Sequence, residues 1–185
     1  MQNKRKLQIG VMGSAADLKY SKSIERLAEQ VGELLAEKDV VVIFGAEKDY
    51  DSLSTAACRG AKKANGFTIG ITYGKDKKVY EKNADVIIPT GMERGGGREF
   101  ILSLACDAMI IINGGSGTLN EAVVAYQANI PVIALVGSGG WSDKLANTYL
   151  DSRKRIKIVP AKTAKEAVEL AIKLGIQRII KGEVN

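Results

Sequence analysis

Short runs of apolar residues alternate along the chain with longer stretches in which apolar residues recur every three or four positions. The runs Leu7–Met12, Val40–Phe44, Phe67–Ile71, Val86–Ile88, Ala108–Ile112, Ile130–Val136 and Ile156–Val159 read as strands. Between them, Ser21–Lys38 carries Ile24, Leu27, Ala28, Val31, Leu34 and Leu35 on one helical face. Leu53–Ala64, Arg98–Cys106, Leu119–Ala128 and Ala164–Leu174 also read as helices. Strands that are apolar at every position need cover on both faces. The pattern therefore predicts an α/β three-layer sandwich with a central parallel sheet of about seven strands. Crossovers in such a sheet are right-handed. A length of 185 residues fits one domain, and none of the three prolines marks a linker.

Charge and composition narrow the ligand class. Lys and Arg number 27 against 21 Asp and Glu, a net charge of +6. A basic chain favours anionic ligands. The basic residues are scattered apart from Lys4–Lys6, Lys75–Lys78 and Arg153–Lys157, and there is neither an RNA-binding aromatic signature nor a zinc spacing. Solvated surface charge is the reading, with no nucleic-acid partner. Cys58 and Cys106 lie in apolar, helix-like stretches and read as buried free thiols. The chain has no histidine, which excludes Ser-His-Asp catalysis, imidazole bases and histidine metal ligands, and no metal site is expected. Met109–Ile112 and Ile130–Val136 are too short to span a bilayer, and no long apolar run follows the basic start. The expectation is a cytoplasmic protein without a membrane partner.

Ligands of open parallel sheets bind beyond the carboxyl ends of the strands, where strand order reverses. The loops to inspect are Gly13-Ser14, Gly45-Ala46, Gly91 to Gly97 and Asn113 to Thr118. The last follows a buried strand and opens a helix. Its Gly114, Gly115 and Gly117 let the backbone approach an anion, and free N–H groups with the helix dipole favour negative charge. Ser116 and the Thr118 hydroxyl add donors. Thr118 and Glu121 have capping-box spacing, but three glycines exceed what a cap needs. The loop is neither a Walker A sequence nor a G-x-G-x-x-G. Arg94 and Arg98 flank a run of glycines. A guanidinium at a helix start is electrostatically unfavourable, which points to an anion there. Glu47, after the second strand, reads as a surface glutamate.

Arg98, Asp107 and the run Gly114-Gly115-Ser116-Gly117-Thr118-Leu119-Asn120-Glu121 resemble the Rossmann-like proteins known as "possible lysine decarboxylases". These include the LONELY GUY-type cytokinin riboside 5′-monophosphate phosphoribohydrolases. The resemblance spans Leu7 to about Val136. It implies that the glycine loop holds a 5′-phosphate and that Arg98 and Glu121 serve cleavage of the base–ribose bond. A carboxylate beside an oxocarbenium-like centre follows glycosidase logic. Asn113 stands where the family has proline, and Asn120 where it has a first glutamate. Gly139 to Leu145 is similar instead to a sister group that includes the algal molybdenum cofactor carrier protein. Two functions follow from the resemblance. One is hydrolysis of nucleoside 5′-monophosphates. The other is non-catalytic carriage or sensing of a nucleotide or molybdopterin-type cofactor. The expected partner is a small phosphorylated ligand, with Gly13, Ser14, Gly45 and Arg94 joining Gly114–Thr118 in binding it. No cofactor is required for hydrolysis. No pyridoxal phosphate site is present, and a nicotinamide oxidoreductase is not expected. Apolar helices of such folds commonly pair, giving a homodimer or homotetramer.

Overall fold

The computed structural model describes residues 5–93 and 97–182. Seven strands form one sheet: β1 (Gln8–Gly13), β2 (Val41–Gly45), β3 (Phe67–Thr72), β4 (Val86–Pro89), β5 (Ala108–Ile112), β6 (Val132–Leu135) and β7 (Val159–Ala161). Their order is β4-β3-β2-β1-β5-β6-β7, and every pairing is parallel. Among the described residues, five α-helices connect them, α1 (Lys22–Glu37), α2 (Leu53–Lys63), α3 (Arg98–Leu104), α4 (Ser116–Gln127) and α5 (Gly140–Leu145), and α6 (Ala164–Ile180) follows β7. The Rossmann-like α/β architecture read from the hydrophobic pattern is thus the one observed.

The central strands are buried on both faces, as their unbroken apolar runs require. On one face Ile9, Val11, Val42, Ile110 and Ile133 pack under α1, α2 and α6. On the other Met12, Ile43, Met109, Ile111 and Ala134 pack under α3, α4 and α5. Alternation along each strand divides the two cores. Helices α1 and α2 touch through glycine. A Cβ on Gly32 would lie 1.9 Å from the Ala57 carbonyl oxygen, and one on Gly60 would lie 1.9 Å from that of Glu29. Hydroxyl caps fix three helix starts: Ser21, Ser52 and Thr163 accept from the N–H of Ile24, Thr55 and Glu166.

The structure moves several element boundaries. Helix α4 begins at Ser116 rather than Leu119, with Gly115 at its N-cap and no side-chain cap bond. Thr118 therefore lies inside the first turn, and the capping box does not form. Strand β7 begins at Val159, later than the run from Ile156 suggested. The N–H of Ile158 donates to Thr148, so this residue pairs with the preceding turn and not with the sheet. Helix α6 continues past Leu174 to Ile180. Helix α5 and a 3₁₀ turn at Ala16–Leu18 have no counterpart in the periodicity, both being too short to repeat an apolar face.

Candidate functional site

Strand order reverses between β1 and β5. The chain leaves β1 toward α1 on one face and leaves β5 toward α4 on the other, which opens a crevice at the carboxyl ends. A cavity of about 300 Å³ lies there. Gly13, Ser14, Ala15, Asp17, Leu18, Gly45, Glu47, Tyr50, Ser52, Ser54, Arg98, Glu99, Gly115, Ser116, Gly117, Thr118 and Glu121 line it. Of the residues singled out in the sequence, Gly114 stands behind this lining, and Arg94 lies outside the described residues.

Gly114 builds the loop. Its φ is +103°, a conformation that favours glycine, and a Cβ would lie 2.7 Å from the Thr118 Cβ. Its N–H donates to Ser14 Oγ at 2.9 Å, and that hydroxyl donates onward to Asn113 Oδ1 at 2.9 Å. The same asparagine adopts φ +56° and donates through Nδ2 to the Ser138 carbonyl at 2.8 Å. Helix α5 closes the arrangement: the N–H groups of Trp141 and Ser142 donate to the carbonyls of Gly114 and Asn113 at 3.0 and 2.8 Å. The segment from Gly139 onward therefore buttresses the loop directly. A helix leaves its first four N–H groups without intrahelical acceptors. In α4 these belong to Gly115, Ser116, Gly117 and Thr118, all on the cavity wall. A Cβ on Gly117 would meet nothing within 4 Å. One on Gly115 would lie 2.5 Å from the tip of Leu18.

A second wall is ionic. Arg98 opens α3 and is only 6% exposed. Its Nη1 donates to Glu47 Oε1 at 2.9 Å and its Nη2 to Glu99 Oε1 at 3.2 Å. Its guanidinium lies 5.9 Å from the Tyr73 ring centre. A Cβ on Gly45 would be 3.6 Å from Nη1, an ordinary contact distance, so this residue borders the cation. Glu121 is 5% exposed, and no hydrogen bond to its carboxylate is recorded among the described residues. Burial pushes its pKa up to about 8, aided by the neighbouring Glu99 and Glu47 and opposed by Arg98. Glu47 is not the surface residue its position suggested. It is held by Arg98, which reaches it from 51 residues along the chain.

Sequence reasoning missed Glu99, Asp17 and Tyr50 in this cavity. Glu99 did carry a signal: it adjoins Arg98 just before the apolar Phe100-Ile101-Leu102, where a charged pair must enter the core together. Asp17, in the 3₁₀ turn, and Tyr50, in the loop after β2, carried none. Both cysteines are free and buried, away from the cavity lining. Burial pushes the Cys58 thiol up to about 12 and raises that of Cys106 as well. No helix among the described residues is long and apolar enough to cross a membrane.

Known proteins share this architecture. A model of the SLOG cluster4 family matches residues 6–168. An uncharacterized protein of Archaeoglobus fulgidus is 34% identical over 129 residues, covering 70% of this chain and 80% of its own length. The molybdenum cofactor binding protein of Rippkaea orientalis is 30% identical with a TM-score of 0.76, over 95% of this chain and 98% of that one. The molybdenum cofactor carrier protein of Chlamydomonas reinhardtii is 27% identical with a TM-score of 0.76, over 92% of this chain and 98% of that one.

Proposed function

The chain belongs to the SLOG cluster4 family, and on that premise we propose that its cavity binds and carries a phosphorylated small molecule of the molybdopterin or nucleotide class. One observation carries the reading. The uncapped start of α4 turns the N–H groups of Gly115 to Thr118 onto a cavity of about 300 Å³, the size of a small-molecule site. This donor set fits a terminal phosphate, and Ser14 with Gly114 holds it in shape. The relatives from Rippkaea orientalis and Chlamydomonas reinhardtii, named for molybdenum cofactor binding and carriage, support the cofactor as cargo. A bound molybdenum cofactor would supply its metal chemistry to a downstream protein. This chain's part is to hold the phosphate and shelter the ring.

The test is direct. Protein purified from cells that make the cofactor is denatured and oxidised, and the extract is examined for a fluorescent pterin. Stoichiometric pterin supports carriage. Its absence, with no shift in melting temperature on adding nucleoside monophosphates or inorganic phosphate, overturns the reading. A ligand at 100 times its Kd raises stability by about 2.7 kcal/mol, well within detection.

A second reading is hydrolysis of nucleoside 5′-monophosphates, favoured by Arg98 and Glu121 facing the same cavity. Release of free adenine from AMP, absent in Glu121→Gln, would establish it. Exposed Phe100 and Leu104 on α3 and Val123 on α4 support self-association as a dimer or tetramer, which sedimentation would measure.

A further inference from the structure

The cavity also presents carboxylates, which a phosphate cannot satisfy. Glu99 and Glu121 line it beside Arg98. Arg98 engages Glu47 and Glu99, yet its Nε has no partner, nor has Glu99 Oε2. Glu121 is nine-tenths buried, lines the cavity, and its carboxylate has no recorded hydrogen bond. Glu99 Oε2 is a buried acceptor without a donor and Glu121 lines the cavity, so the site is shaped for a ligand that brings donors. Arginine supplies the complement: N–H groups beside the carboxylates.

We infer that Arg98 and Glu121 recognise a donor–donor–acceptor edge, the 2-amino-4-oxo pyrimidine edge shared by guanine and pterin rings; this rests on the reading that α4 holds the phosphate. The Glu121 carboxylate accepts from the ring N–H and the exocyclic amino group together. A guanidinium N–H of Arg98 donates to the ring carbonyl. Glu47 and Glu99 hold Arg98 in place. Adenine presents an acceptor nitrogen where the ring N–H is needed, and hypoxanthine lacks the amino group.

The experiment is calorimetric titration of the full chain with GMP, IMP and AMP at pH 8.5, where Glu121 is ionised, with inorganic phosphate as competitor. Wild type binds GMP at least about tenfold more tightly than IMP, the typical effect of leaving a buried polar group unpaired. Glu121→Gln brings the two within about threefold of each other. Phosphate displaces both ligands from either protein. Equal binding of GMP and IMP by wild type, as recognition of the shared ribose would give, overturns edge recognition while leaving the phosphate site standing. Retained discrimination in Glu121→Gln overturns it too. Failure of all three nucleotides and of phosphate removes the phosphate site and this inference with it. Melting temperature confirms that the variant is folded.

Discussion

The two walls of the cavity are built by different physics. The wall at the start of α4 is backbone: N–H groups left over by helix geometry, shaped by the positive φ of Asn113 and Gly114. The wall around Arg98 is side chain: among the described residues, its guanidinium and three carboxylates, gathered from the β2–α2 loop, α3 and α4. The first suits an anion by default and keeps no pH dependence of its own. The second holds buried charges that must balance, so it answers to pH and to single substitutions. On the proposed reading, one wall would hold the phosphate common to many ligands and the other would choose among them.

The largest effect separating the walls comes from Arg98→Ala. It leaves Glu47 and Glu99 without their buried cation, and removing one partner of such a pair costs about 3–5 kcal/mol. Urea unfolding measures this, and a loss below about 1 kcal/mol would mean the carboxylates are solvated in place of being paired.

Glu121 gives the next effect, on the order of a few kcal/mol between the extremes of pH. Its folded pKa of about 8 stands above its ordinary value of 4.5. A raised acid favours the folded state fully below the unfolded pKa, and that contribution fades as pH rises through the folded one. Wild-type stability should therefore decline from about pH 5 to pH 9 relative to Glu121→Gln. Parallel profiles for the two proteins would place the carboxylate in water.

On the backbone wall, Gly114→Ala forces a side chain into φ +103° and against Thr118. The cost should be about 1–3 kcal/mol, with phosphate affinity falling as the loop shifts. Unchanged phosphate binding would detach the anion site from this turn.

Ser14→Ala is the mildest, about 1–2 kcal/mol, because it removes the acceptor of the Gly114 N–H and the donor to Asn113 Oδ1. Hydrogen exchange at Gly114 should quicken in this variant. Protection equal to wild type would show that the serine does not hold the loop.

The same contrast explains what could be read from the chain. The backbone wall is legible because glycine density after a buried strand is a local signal: Gly114 to Thr118 and Gly13-Ser14 lie within a few residues of their strands. The sheet was legible too, since unbroken apolar runs have one stable solution. The ionic wall was half visible. Arg98 and Glu121 stood out, the latter through family resemblance. Glu47 read as surface because nothing near it in sequence hints at a cation that arrives from α3. The cap at Thr118 failed for a related reason. A threonine three residues before a glutamate fits a capping box, but the helix gains an extra turn when Asn113 and Gly114 already close the loop through α5, a contact with no local signature.

The bond between Ser14 and Asn113 joins residues 99 apart in the chain. During synthesis, β1 to β4 with α1 and α2 can pair among themselves before β5 exists, whereas the β1–β5 junction must wait. A chain still on the ribosome and ending short of Asn113 has one loop of the crevice and no other. On the proposed reading, a ligand at this junction would meet both loops only after Asn113 to Thr118 are made, and it would fasten together the early and late halves of the chain.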